Sequence, residues 1–468
     1  MRKAKRGRKT KRPLLWVSLT LYPAFLALFL ALPYGDPLLF GLGYAFNFAV
    51  LYAARRLLDL NELFEDETYF TLNLVVFFLV SLALFGSQLN WFHLEGAEEA
   101  YYLLLVGSIV GVLSRTFLRK RPNTAILALA TYAVFLASKN IFVAFGFALA
   151  NLISSDIYGR YRTTLHEIAA VAIGNAVFSV ILAAYWLTRE PHLVWKLLYL
   201  YPTSVLTEIF ILFGLQKLLD LLPYMYSDEK LENFANLSNP LLEEMLIRAP
   251  GTYHHSVMVS LLAESLAKKL GADPLLVKVG AMFHDIGKLV NPHYFIENIN
   301  GKNPHAELKP EVSAAIIKNH VEEGLALAEK HNLPKEIIPF IPEHQGTKLI
   351  RYFYFKALEE NPDVDEEKFR YGGPIPQSKE TAIVMITDTV EAMVRTLKEP
   401  TADEVRKAVR SALENLKKEG QLKASGLTEE DLKLVEKLLT ELILSYYHER
   451  IKYPEGPSRR AKTVKSKS

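Results

Sequence analysis

The chain contains no cysteine. That excludes a disulfide scaffold, a thiolate metal site, an iron–sulfur cluster and a cysteine nucleophile. Net charge is nearly absent too, +3 over 468 residues, too little for a protein whose partner is a nucleic acid polymer. No sustained two-residue alternation of apolar and polar side chains bounded by hairpin turns occurs, so the pattern predicts an all-α protein. The charge that is present is unevenly spread. Residues 1–223 hold 20 Lys/Arg against 14 Asp/Glu, and the remainder holds 34 against 37. Long apolar runs fill the first half, which reads as a membrane half joined to a soluble half.

About 20 mainly apolar residues are needed to cross a hydrocarbon core as helix. Eight candidate spans precede residue 224, roughly 13–32, 36–55, 70–87, 101–118, 123–138, 140–156, 167–187 and 195–218. The fifth and sixth are short and separated only by Ser138-Lys139-Asn140, so seven is the alternative count. Basic residues near span ends favour the cytoplasm. With residues 1–12 inside, the inside connections carry 16 Lys/Arg, including Arg55, Arg56, Arg115, Arg119, Lys120, Arg121, Arg160 and Arg162. The outside carries only Lys139, Arg189 and Lys196. This alternation predicts a multi-pass protein of the cell membrane, with the N-terminus and residues 224–468 cytoplasmic and the lipid bilayer as a partner. The first span is longer than a signal-peptide apolar run and is expected to be retained. The basic start is read as an orientation signal beside anionic lipid. Outside loops are short, the longest near 88–100 with Trp91 and Phe92 suited to the interface. Polar residues within the spans read as few: Asn47, Asn73, Asn151, Ser154, Ser155, Asp156 and Asn175. Asp156 reads as an interfacial ion-pair partner of the nearby arginines. Without a chain of buried carboxylates or a helix broken in mid-membrane, a transporter is not indicated.

Residues 224–249 predict a helical linker, with one capped helix after Ser227 and another from Asn239-Pro240. Beyond it, helical periodicity runs through 310–331 and 378–397. The informative feature is the order of His255, His284-Asp285, His320, His344 and Asp388 on successive helices. Imidazole and carboxylate are ligands for divalent zinc, iron and manganese. Adjacent His284 and Asp285 at a helix end can reach one centre, and the two oxygens of Asp285 can bridge two metals. Such a pair suits in-line displacement at phosphorus. Lys288, one turn on, can bind non-bridging phosphoryl oxygens as a point charge.

This ordered set resembles the HD superfamily of metal-dependent phosphohydrolases, His284-Asp285-Ile286-Gly287-Lys288 being its HDIG form. Longer strings are similar to the membrane-bound seven-transmembrane HD family, the PgpH-type cyclic di-AMP phosphodiesterases. They include Ala249–Ser256, Tyr294–Asn298, Asn303-Pro304-His305, Phe369–Pro374 and Thr387–Ala392. The resemblance implies an HD phosphohydrolase domain over 250–453, following a transmembrane bundle over 13–223. It implies one metal held by His255, His284, Asp285 and Asp388, and a second by Asp285, His320 and His344. It also implies manganese or iron as the metal, Asp285 and Lys288 in catalysis, and hydrolysis of cyclic di-AMP to linear pApA. Two departures stand out. Gln345 follows His344 where the family has a second histidine, and only Pro33 to Gly35 join the first two spans where the family carries a large extracellular domain.

Around this set, Asn298, His305 and Arg395 are candidate substrate contacts with Lys288, although Arg395 equally suits an ion pair with Glu391. His254, Glu343, Gln345 and Glu391 are candidate supports of the ligands. The basic tail, 454–468, is expected to be disordered. A homodimer is compatible with the sequence. Two other readings stay open: a phosphohydrolase of a different nucleotide, and a membrane receptor whose HD unit binds nucleotide without turnover.

Overall fold

The structure, a computed structural model, describes residues 12–31, 37–57, 67–89, 104–118, 123–222, 225–299, 301–397 and 400–448. The expectations for residues 1–11, Pro33 to Gly35, Trp91, Phe92, Arg119 to Arg121 and the tail 454–468 lie outside the described residues. The described chain is helical, with no strand and one isolated bridge, Leu349 to Arg370. It divides into two compact units, Met1–Lys230 and Leu231–Ser468.

The first unit contains α1 (Arg12–Ala31), α2 (Pro37–Leu57), α3 (Glu67–Leu89), α4 (Ile109–Phe117), α5 (Asn123–Ser138), α6 (Ile141–Tyr161), α7 (Thr164–Arg189) and α8 (Leu197–Leu219). Side-chain caps mark where helices begin. Asn140 accepts from Phe142 and Val143 N–H at the start of α6, and Thr163 accepts from His166 N–H at the start of α7. Among the described residues, three stretches are long and apolar enough to cross a membrane: Ile141–Arg160, Thr164–Arg189 and Pro191–Leu219. Four shorter apolar helices, Val17–Ala27, Pro37–Ala53, Glu67–Ala83 and Thr124–Leu136, accompany them. Asp156 pairs with Arg160 at 2.6 Å on an exposed face.

One expectation for this unit is corrected. Within the candidate span 101–118, the described residues 104–118 are not one continuous helix, because residues 105–108 form a turn before α4. A turn inside an apolar unit must find partners for the backbone groups it frees. Asn151 of α6 supplies two, donating to Gly107 O at 2.6 Å and accepting from Gly111 N at 2.7 Å. Glu208 of α8 supplies more, accepting from Ser108 N at 3.0 Å and Ser108 Oγ at 2.5 Å. Asn175 of α7 donates to the same carboxylate at 2.9 Å. Glu208 is fully buried. The sequence reading counted Asn151 and Asn175 but missed this carboxylate.

The second unit contains most of α9 (Asp228–Phe234), then α10 (Pro240–Arg248), α11 (Pro250–Leu270), α12 (Pro274–Phe283), α13 (Pro310–Lys330), the one-turn α14 (Phe340–Glu343), α15 (Arg351–Glu360), α16 (Lys379–Arg395), α17 (Ala402–Lys418) and α18 (Glu429–His448). Proline in the first turn and a side-chain acceptor just before it start two of these helices, Asn239-Pro240 for α10 and Asp273-Pro274 for α12. Ser378 caps α16, and Thr401 with Glu404 forms a reciprocal capping box on α17. Leu241, Leu242 and Met245 of α10 are buried in the same core as Val259, Phe283, Ile386 and Val409. This core holds α11, α12 and α16 together, and those helices with the residues directly after α12 carry four of the six expected ligands.

Candidate metal centre

His255 projects from the buried face of α11, and Asp388 from α16. His284 ends α12, and Asp285 follows it into a 3-10 turn, Ile286–Leu289. His320 lies on α13, and His344 directly follows α14. Two glycines let these segments meet. A Cβ at Gly287 would stand 1.8 Å from His320 O and 2.5 Å from Gly324 N, so only glycine allows the HDIG turn to lie on α13. A Cβ at Gly251 would stand 1.9 Å from Glu297 O, where the 291–299 loop crosses the start of α11.

Asp285 is the centre of the cluster and is 1% exposed. Its Oδ2 lies 3.2 Å from His284 Nε2 and 3.7 Å from His255 Nε2. Its Oδ1 lies 3.5 Å from His320 Nε2 and 3.4 Å from His344 Nε2. Asp388 Oδ1 adjoins the first pair, 3.1 Å from His255 Nε2 and 3.9 Å from His284 Nε2. Two groups of buried ligand atoms result, His255/His284/Asp285 and Asp285/His320/His344, each compact enough to hold a metal ion.

The far side of each imidazole is anchored. His284 Nδ1 donates to Ala281 O at 2.6 Å, His320 Nδ1 to Ile317 O at 2.5 Å, and His344 Nδ1 to Ile341 O at 2.7 Å. His255 Nδ1 is held by Glu391 Oε2. An Nδ1–H engaged in this way leaves the Nε2 lone pair facing the cluster. Nε2 of His284, His320 and His344 and Oδ1 of Asp285 are buried without a hydrogen-bond partner. Four buried polar atoms left unpaired are costly in an ordinary core. As convergent lone pairs, they fit divalent cations, and the nitrogen–oxygen donor set suits such ions.

Electrostatics follow the same division. Burial pushes His320 down to about 3 and also lowers His344, so both are neutral at ordinary pH. Burial opposes charge on His255 as well, but hydrogen bonds to Asp388 and Glu391 raise it to about 9. Against the desolvation that favours its neutral form, Asp285 is held well below the usual carboxylate range by the Lys288 ammonium and His284. Asp388 is also lowered, burial being outweighed by its hydrogen bond with His255 and the charge of Lys348.

Other expected residues occupy varied positions. Lys288 Nζ is 2.7 Å from both Asp285 Oδ2 and Glu297 Oε1. Asn298 uses its amide on Thr252, donating to Thr252 Oγ1 at 2.8 Å and accepting from Thr252 N at 3.2 Å. His305 packs between Tyr294 and Phe353, with Nε2 donating to Tyr294 O at 2.9 Å. Arg395 lies 4.0 Å from Glu391 Oε2. Glu343 accepts from Thr381 Oγ1 at 2.6 Å and Gln377 N at 2.9 Å, joining α14 to the start of α16 rather than holding an imidazole. Gln345 is half-buried, and its carbonyl accepts from Lys348 N. His254 is exposed beside Tyr253, one helical step away from His255, and has no contact with the ligand set. The sequence reading missed Lys348, 3.7 Å from Asp388 Oδ2, and the position of Tyr371, whose ring stands edge-on to His320 at 5.9 Å. A lysine four residues after His344 was the available signal.

The HD domain model matches residues 252–393. The cyclic-di-AMP phosphodiesterase PgpH of Listeria monocytogenes is 44% identical over 232 residues, 49% of this chain and 32% of that protein. PgpH of Bacillus subtilis is 42% identical over 231 residues, again 49% of this chain and 32% of that protein. A crystal structure of the L. monocytogenes PgpH HD domain in complex with cyclic-di-AMP is 44% identical, covering 45% of this chain and all of that one, with a TM-score of 0.44. The chain thus spans about a third of the length of these curated relatives.

Proposed function

Because the C-terminal half of this chain carries an HD domain homologous to the PgpH cyclic-di-AMP phosphodiesterases, we propose that it is a membrane-anchored di-metal phosphodiesterase hydrolysing cyclic di-AMP to linear pApA. The observation that carries this reading is the division of Asp285, with Oδ2 facing His284 and His255 and Oδ1 facing His320 and His344. One carboxylate serving two imidazole groups is the arrangement a di-metal hydrolase needs. His255, His284, Asp285 and Asp388 would hold one ion, and Asp285, His320 and His344 the other. The nitrogen–oxygen donors suit divalent zinc, iron and manganese, and the family resemblance points to manganese or iron. Bound there, two such ions supply Lewis acidity at the phosphoryl oxygens and an activated water for in-line attack.

The chain's own residues prepare that chemistry. Backbone carbonyls of Ala281, Ile317 and Ile341 fix three imidazole tautomers, and Glu391 fixes the fourth ring. Lys288, joined to Asp285 and Glu297, holds the shared carboxylate in one orientation. Hydrolysis adds water across one phosphodiester of the ring, breaking a P–O3′ bond and leaving a 5′-phosphate and a free 3′-hydroxyl. The loop charges of the first half support a multi-pass anchor with the HD unit in the cytoplasm.

The test is product identification from purified full-length protein given Mn²⁺ or Fe²⁺, with cyclic di-AMP, cyclic di-GMP and a hyperphosphorylated guanine nucleotide offered separately. The expected result is pApA from cyclic di-AMP, with turnover reduced by about three orders of magnitude or more in Asp285→Ala as both metals are lost. Full turnover by that variant would sink the di-metal assignment. Preference for a guanine nucleotide would move the substrate.

A further inference from the structure

The two lysines beside the cluster are engaged differently. Lys288 Nζ touches two carboxylates at 2.7 Å, so its donors are directed to the protein. Lys348 has no partner at that distance. Its Nζ is 3.4 Å from Thr389 Oγ1 and 3.7 Å from Asp388 Oδ2, yet its side chain is only 17% exposed. A largely desolvated ammonium whose carboxylate partner stands off at 3.7 Å is only partly compensated. One beside a phosphodiesterase centre, with donors to spare, is suited to a phosphate oxygen.

The backbone makes this placement specific. Lys348 N donates to Gln345 O at 3.1 Å, which fixes it just past His344. Tyr371 N donates to Lys348 O at 3.1 Å, and Ile350 N donates to Phe369 O at 2.9 Å. The isolated bridge between Leu349 and Arg370 lies between these bonds. This short strap presents Lys348 beside Asp388 and Tyr371 beside His320.

We propose that Lys348 is a substrate-binding residue that holds a non-bridging phosphodiester oxygen on the Asp388 side of the centre. The inference rests on the phosphodiesterase reading above and transfers to Lys348 the phosphate contact the sequence had given to Lys288.

The experiment uses full-length protein in detergent or nanodiscs, loaded with Mn²⁺, comparing wild type with Lys348→Met, Lys348→Gln, Lys348→Arg and Lys288→Met. Metal content and melting temperature are measured for each. For Lys348→Met and Lys348→Gln, KM for cyclic di-AMP is expected to rise about tenfold to a hundredfold, with kcat changed less than about threefold and two metals retained. The salt dependence of kcat/KM should flatten in both and return in Lys348→Arg. Lys288→Met should instead lose metal or melt earlier. An unchanged KM in the two neutral variants would overturn the inference. So would loss of metal with a fall in kcat, which would make Lys348 a support for Asp388. The same series run on bis(p-nitrophenyl) phosphate separates the two ideas. A KM shift there, without wild-type action on cyclic di-AMP, rejects the named substrate and keeps Lys348 as the phosphodiester contact.

Discussion

His255 and the pair His320/His344 differ in what they must give up to bind a cation. The pair is already neutral at pH 7, His320 being pushed down to about 3 and His344 also lowered. His255, raised to about 9 by Asp388 and Glu391, is protonated there. Its proton must leave as metal enters. Below pH 9 the apparent affinity of the first site should therefore fall about tenfold for each unit of acidification, while His320, pushed down to about 3, imposes no such slope on the second site near neutral pH. Calorimetric titration with Mn²⁺ in buffers of different ionisation enthalpy measures this directly. About one proton should be released with one metal equivalent at pH 7, and none from the other. Equal, proton-free binding of both would contradict it. The residues proposed as ligands were picked out in the sequence by their order, His255, His284-Asp285, His320, His344 and Asp388, and the structure brings them to one cluster. Lys348 was not legible. Nothing local distinguishes it from other lysines, and its position depends on a backbone bridge to Arg370.

Between helices, glycine decides how closely the ligands converge. Gly287 lies where the HDIG turn meets α13, and a methyl group there would overlap His320 O and Gly324 N. Gly287→Ala should cost about 1–3 kcal/mol by overpacking and displace His320. The expected outcome is a lower melting temperature with selective loss of the second metal, read by thermal denaturation and metal analysis. Unchanged metal stoichiometry would show that α13 can yield without moving its ligand. Helix existence was readable from apolar period in α13 and α16. The turn at 105–108 was not, because apolar composition alone looks the same for one span or a broken one. Its partners Asn151 and Glu208 lie 40 and 100 residues from the groups they satisfy.

For the whole molecule, two separate cores predict two unfolding events. One core is built from residues such as Phe77, Phe147 and Phe178, the other from Phe283, Phe340 and Ile386. The metal-ligand clusters belong entirely to the second unit. Chelation should therefore lower only the transition of that unit. At metal concentrations 100 times Kd the lost linkage energy is about 2.7 kcal/mol, equivalent to about 5–10 °C for a unit of this size. Differential scanning calorimetry of the full chain in detergent, with and without chelator, checks this. A parallel shift of both transitions would mean that the units unfold as one. The near-neutral average charge concealed this organisation, whereas the separate counts for the two halves revealed it.

The carboxylate of Glu208 also bears on how the first unit is made. By insertion scales, an acidic side chain at the middle of a helix entering lipid costs about 2.5–3.5 kcal/mol. That makes α8 the least self-sufficient of the long apolar helices. Its relief comes from Ser108 and Asn175, and both precede it along the chain. By the time the ribosome delivers Glu208, the groups that receive it have already been synthesised. The order of translation therefore supplies the donors before the carboxyl group that requires them.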